Sequence, residues 1–198
     1  YNIFKNTLSK EQAKAELKIA TKKVLLFFGL IRKYKGLDIL INAMEKINTE
    51  LEDYTLLIVG ECYENKDKYI DLIKKAGITD NVHCHYSFVP DNEVGKYFSA
   101  SDVVVLPYKT ASQSGIVQIA YHFDTPVIVS NVGGLPEIVD EGKTGYCVEP
   151  SSNAFAEAIK AFYEKDNISE LNSNISDYKS QFSWNAMVNA IEELVNVH

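Results

Sequence analysis

Long apolar runs are missing from this chain. No stretch of about 18 hydrophobic residues occurs, so nothing in it reads as a membrane-spanning helix. The opening residues, Tyr1-Asn2-Ile3-Phe4-Lys5, lack an initiator Met, a basic n-region and an apolar h-region. No signal peptide is expected, and the start reads as a cut inside a longer protein or as a mature end. Cysteine is scarce: Cys62, Cys84 and Cys147 are three, widely spaced, with no C-x-x-C pattern and no paired histidine. That pattern indicates neither a disulfide framework nor a zinc site, and fits a reducing cytoplasm. Positive charge is in deficit, 20 Lys+Arg against 27 Asp+Glu, a formal net charge of −7. A nucleic acid or an anionic membrane surface is therefore not the expected main partner, although a local basic site for a small anion stays open. Neither G-x-G-x-x-G nor a Walker pattern is present, which counts against dinucleotide dehydrogenases and P-loop enzymes. No D-x-D pair occurs, and His83, His85, His122 and His198 form no ligand cluster, so no metal is expected.

What is present is an alternation. Short β-branched runs at Val24–Phe28, Thr55–Val59, Val82–His85, Val103–Leu106, Pro126–Val129 and Tyr146–Val148 read as strands, several apolar on both faces. Between them lie stripes at helical spacing: Leu37, Leu40, Ile41, Met44 and Ile47, then Tyr69, Leu72, Ile73 and Ala76. Val94, Tyr97 and Phe98 follow Asp91 as an expected N-cap, and Phe155, Ala158, Ile159 and Phe162 follow Ser151. Ser9–Leu17 reads as a short leading helix. The tail from Ile168 is helical, with Trp184, Met187, Ile191 and Leu194 on one face of a terminal helix at about 183–196. With 198 residues the chain has room for one domain. The fold expected is a doubly wound α/β domain, a parallel sheet of about six strands with helices on both faces.

Ligands in such sheets bind outside the carboxyl ends of the strands, near the switch in strand order. After the first strand, Gly29-Leu30-Ile31-Arg32-Lys33-Tyr34-Lys35-Gly36 places three cations just before a helix, a pattern suited to a phosphate or diphosphate. Gly60-Glu61 follows the second strand, where the glycine admits a ligand to the backbone and Glu61 offers a carboxylate to a sugar or ribose hydroxyl. Tyr86-Ser87-Phe88-Val89-Pro90, after the third, is an apolar loop with room for a nucleobase. The fourth leads into Ser112-Gln113-Ser114-Gly115-Ile116, where Ser112 or Ser114 caps a helix whose free N–H groups form an anion site. After the fifth, Gly133-Gly134-Leu135-Pro136 makes a tight turn and Glu137 starts the next helix.

At these residues the chain resembles the C-terminal domain of the retaining GT-B glycosyltransferases, the group 1 or GT4 family. Four segments match in order: Phe27–Ala43 (FFGLIRKYKGLDILINA), Leu56–Glu61 (LLIVGE), Ser101–Tyr108 (SDVVVLPY) and Thr125–Val139 (TPVIVSNVGGLPEIV). The resemblance implies a domain that binds a UDP- or GDP-linked sugar, with no further cofactor and no metal. The acceptor, a glycan or lipid-linked glycan, would be held by an N-terminal domain absent here, and this chain alone would be inactive. It also implies a cytoplasmic protein of polysaccharide biosynthesis, with peripheral attachment to the inner membrane through the absent half left open.

By position, the resemblance gives Lys35 the donor diphosphate. Arg32 substitutes for the family's arginine, whose place is Leu30; Phe88 and Val89 fall in the base-binding region, and Ser114–Ile116 supply amides. Gly29, Gly60, Glu61, Ser112 and Gln113 complete the expected donor site, and Arg32 and Lys35 are its catalytic cations. One departure stands out. The family's E-x7-E carboxylates fall on Ala111 and Ile119, leaving Ser112, Gln113 and Gln118 as the nearest polar groups. A non-catalytic sugar-nucleotide-binding module and a nucleotide-sugar epimerase on the same fold remain the alternatives.

Overall fold

The computed structural model describes residue 4 and residues 7–179. Six strands form one sheet: β1 (Lys23–Phe28), β2 (Tyr54–Val59), β3 (Val82–His85), β4 (Val103–Leu106), β5 (Val127–Ser130) and β6 (Gly145–Val148). All pairings are parallel, in the order β3-β2-β1-β4-β5-β6. The sheet is thus the parallel, six-stranded one that the alternation implies. Its order reverses between β1 and β4, and this is where such a sheet opens a crevice at its carboxyl end.

The central strands β1 and β4 are buried on both faces because their residues from Val24 to Phe28 and from Val103 to Leu106 are all apolar. Val24, Leu26 and Phe28 of β1 point into one core layer with Val104, Leu106, Val127 and Val129. Leu25 and Phe27 point into the other with Val103, Val105 and Ile128. This period of two is the pleat itself. Each fully buried branched or aromatic side chain contributes roughly 1.5–3 kcal/mol, so the two layers are the main source of stability. Among the described residues seven helices cover them: α1 (Lys10–Glu16), α2 (Leu37–Ile47), α3 (Lys66–Lys75), α4 (Asp91–Ala100), α5 (Gly115–His122), α6 (Ser152–Glu164) and α7 (Ile168–Lys179). α2 packs between α3 and α6, and α1 lies against α4.

Local chemistry starts the helices. Ser9 opens α1 through a reciprocal capping box with Gln12, and Ser151 caps α6 by accepting from the Ala154 N–H. Two local expectations are corrected. Asp91 is not the N-cap of α4; it is the first helical residue, behind Pro90, whose fixed φ of −61° sets the chain direction. Its carboxylate still sits at the positive end of the helix. Glu137 lies in a single 3-10 turn, Pro136–Ile138, rather than at the start of a full helix, because the chain leaves at Val139 in an extended conformation. The terminal helix expected at about 183–196 lies outside the described residues.

The amino end of the sheet is tied by one carboxylate. Asp102, buried just before β4, accepts from the Val24 N–H at 2.6 Å and from the Tyr163 hydroxyl at 3.2 Å, and pairs with Lys10. It joins α1, β1, β4 and α6 at a point far along the strands from the crevice. Among the described residues no helix is long and apolar enough to cross a membrane.

Candidate functional site

The carboxyl ends of β1, β2, β3 and β4 enclose a continuous trough. Its larger part, about 710 Å³, is lined by Tyr34, Lys35, Tyr108, the loop Thr110–Gly115, Ile116 and Ile119. An adjoining recess of about 270 Å³ is lined by Phe28, Gly29, Leu30, Gly60, Glu61, Phe88 and Val89. Tyr34, Lys35 and Ile116 border both. Of the expected site residues, Gly29, Gly60, Glu61, Phe88 and Val89 therefore fall in the recess. Ser112, Gln113, Ser114 and Gly115 fall in the larger part, and Lys35 and Ile116 lie at the junction.

Two glycines set the walls. Gly36, at φ 67°, turns the chain from Lys35 into α2 while its Cα lies against the Pro107 carbonyl, which leaves no room for a Cβ. Gly133, at φ 55°, sits equally close to the Ala111 carbonyl, and the Gly134 N–H donates to the Ser112 carbonyl at 2.9 Å. The loop carrying Ser112 and Gln113 thus rests directly on backbone. On the opposite wall, the Lys109 N–H donates to the Tyr34 carbonyl at 2.7 Å and the Lys109 ammonium pairs with Asp38 at 2.7 Å.

Lys35 differs from the exposed Arg32 and Lys33 in its burial, and from Lys109 in lacking an acidic partner. It is half-buried, and no carboxylate among the described residues pairs with it. Its ammonium donates to the Tyr108 hydroxyl at 2.7 Å and lies 4.3 Å from the centre of that ring. Burial first, then the nearby Arg32 charge, bring its pKa down from 10.5 to about 8. Across the trough, Ser114 caps α5: its φ of −138° and ψ of 115° are extended, and its Oγ accepts the Ile116 N–H at 3.3 Å. The Val117 N–H donates to the Ser114 carbonyl at 3.3 Å, so Ser114 meets two amides of this positive helix end. That end and one ammonium with no counterion among the described residues face a space whose larger part no carboxylate lines.

Arg32 is not in that space. It is the extended residue before the 3-10 turn Lys33–Lys35, with φ −137° and ψ 155°, and so points differently from Lys35. Its guanidinium stacks 4.9 Å from the Tyr63 ring, in a separate open hollow of about 680 Å³ shared with Lys33, Glu64 and Lys109. Tyr34 and Thr110 are the partition between hollow and trough. Ala111 and Ile119, where the family resemblance expects carboxylates, both line the trough. Nothing in the sequence singles out the two tyrosines. Tyr34 is the chain neighbour of Lys35, whereas Tyr108 closes the run SDVVVLPY and reaches Lys35 only through the juxtaposition of the β1 and β4 ends.

The family model for glycosyl transferases group 1 matches residues 9–182, and the chain belongs to that family. Over 193 residues it is 30% identical to the D-inositol 3-phosphate glycosyltransferase of Corynebacterium aurimucosum, a match covering 93% of this chain and 45% of that protein. In structure it is similar to the C-terminal domain of a group 1 glycosyl transferase from Francisella tularensis, with TM-score 0.82, 24% identity and coverage of 92% of this chain and 97% of that one. It is also similar to HepE of Anabaena, solved in complex with UDP, with TM-score 0.82 and 21% identity, covering 100% of this chain and 55% of that one. The chain spans about half the length of the curated relatives it matches.

Proposed function

We propose that the trough holds the donor of a retaining glycosyltransferase, a nucleoside diphosphate sugar, for transfer to an acceptor bound by a second, N-terminal domain. The observation that carries this reading is the half-buried Lys35 ammonium, free of any carboxylate among the described residues, opposite the N-terminus of α5. A diphosphate supplies the missing negative charge. Base and ribose occupy the recess between Phe88, Val89 and Glu61, where the apolar wall takes a ring face and the carboxylate a hydroxyl. The sugar then lies toward Ser112 and Gln113. The UDP complex of the Anabaena neighbour supports the donor class.

In this reading the chain contributes no nucleophile. Lys35 and the α5 amides stabilise the negative charge that grows on the leaving diphosphate, and preorganised donors of this kind often contribute more to catalysis than any other single effect. Arg32, beyond Tyr34, acts at longer range. Side-chain cations take the place of a metal ion, the sugar is of hexose type as in the GT4 family, and polysaccharide assembly on the cytoplasmic side is the setting. The chain alone binds the donor but does not transfer it.

Titration calorimetry with UDP and GDP tests the assignment: one of them binds the wild-type chain, and Lys35→Ala loses most of that binding. Unchanged affinity in the variant refutes the site. A second reading, a binding module without catalysis, is favoured by the apolar Ala111 and Ile119 in the trough wall. Sugar transfer or donor hydrolysis by a protein carrying this chain together with an acceptor-binding domain excludes it.

A further inference from the structure

Lys35 donates to a hydroxyl, and that fixes more than the position of one side chain. An ammonium has donors and no acceptor, so the Tyr108 oxygen must accept. Burial pushes the Tyr108 phenol well above its ordinary range, so it keeps its own hydrogen. The available acceptor for that hydrogen is Ser114 Oγ, 3.4 Å away. Ser114 Oγ already accepts the Ile116 N–H at 3.3 Å. When Tyr108 donates, both acceptor directions of Ser114 Oγ are occupied and its own hydrogen is left for the trough that Ser114 lines. Tyr108 itself is 1% exposed and cannot reorient to water.

We propose that Tyr108 is a positioning residue that sets the direction of hydrogen bonding in the trough, so that the Lys35 ammonium and the Ser114 hydroxyl donate together to the same phosphate oxygens of the ligand. The assignment rests on the nucleoside diphosphate reading of the trough and adds to it a neutral, buried anchor that leaves the lysine charge uncompensated. A carboxylate in that place would hold Lys35 equally well and would cancel the charge the ligand needs. A phenylalanine would keep the ring face and lose both the acceptor for Lys35 and the donor to Ser114. The charged and titratable groups facing Lys35 are Arg32 on its own loop and Tyr34 and Tyr108 on either side, with Glu61 across the adjoining recess.

The experiment compares the wild-type chain with Tyr108→Phe, Ser114→Ala, their double variant and Lys35→Met. Binding of UDP, GDP and the corresponding nucleosides is measured by calorimetry between pH 6 and 9.5. Tyr108→Phe is expected to weaken the diphosphate about ten-fold and to leave the nucleoside unchanged. Its decline in affinity with rising pH is expected to begin below the wild-type onset near 8, because the ammonium has lost an acceptor. Equal weakening at every pH is the mark of a merely structural role and overturns the proposal. Ser114→Ala is expected to weaken the diphosphate alone, and in combination with Tyr108→Phe to add little. Full additivity, or equal weakening of the nucleoside, overturns the proposal even where Tyr108→Phe folds poorly. Wild-type behaviour of Tyr108→Phe beside loss of binding in Lys35→Met sinks the positioning role and leaves the donor site standing. A wild-type chain that binds neither diphosphate sinks both.

Discussion

The two ends of this sheet treat buried charge in opposite ways. At the amino end, the Asp102 carboxylate is met by a backbone N–H, an ammonium and a phenol, and is consumed by the fold. At the carboxyl end, the Lys35 ammonium is met by one neutral hydroxyl and two aromatic rings, and no carboxylate among the described residues answers it. Asp102 is buried and Lys35 half-buried, and ions taken out of water cost free energy unless paired. The first is paired within the chain. The second has no anionic partner among the described residues, and its lowered pKa is the mark of an ammonium that burial disfavours. On the donor-site reading, Lys35 weakens the folded state slightly and strengthens the complex, the trade between stability and function expected of a binding site.

Substitutions at the two ends are expected to separate stability from binding. The largest effect falls on Lys35→Met, which should cost roughly 2–4 kcal/mol of diphosphate binding, the range for removing one partner of a desolvated charge pair. Its denaturation midpoint in the absence of ligand should stay level or rise. Asp102→Ala should do the reverse. The Val24 N–H loses its acceptor, so stability falls by about 1–3 kcal/mol in urea titration, with little change in nucleotide affinity. If either substitution moves both properties together, the contrast between the ends fails.

A pH series sharpens the same contrast. Below pH 8 Lys35 is charged in the free protein, and above it the native amine is neutral while the unfolded one stays protonated up to about 10.5. The unfolded state then binds more protons, so stability should rise with pH across this window relative to Lys35→Met. Affinity for the diphosphate should fall across the same window, and binding near pH 8 should draw a proton from the buffer, visible as a dependence of the measured heat on buffer type. The smallest effect is expected at Arg32→Ala. Its exposed, separately housed guanidinium should contribute under about 1 kcal/mol and respond strongly to salt.

Much of this arrangement is legible in the residues, for definable reasons. Strands buried on both faces, such as Leu25–Phe28 and Val103–Leu106, announce themselves as unbroken apolar runs between polar turns. The rule that ligands gather at carboxyl ends of strands then points to Lys35, Ser114, Phe88 and Glu61 without coordinates. The partition of the loop Arg32–Lys35 is not legible. Two cations three positions apart diverge because one is extended and the other ends a 3-10 turn, a difference of backbone angles that composition does not carry. Tyr108 stays hidden in the sequence because its role depends on the reach between the ends of β1 and β4, which only the sheet order supplies.

The bond between Lys109 and Tyr34, together with the Lys109–Asp38 pair, has a mechanical consequence. It stitches the wall carrying Lys35 to the strand that leads into the Ser114 loop, and that loop is in turn seated on the Gly133-Gly134 turn. The three walls are therefore joined into one cradle by two backbone hydrogen bonds and one ion pair. Ordering them was accomplished when the chain folded, so an arriving ligand loses little freedom in fitting.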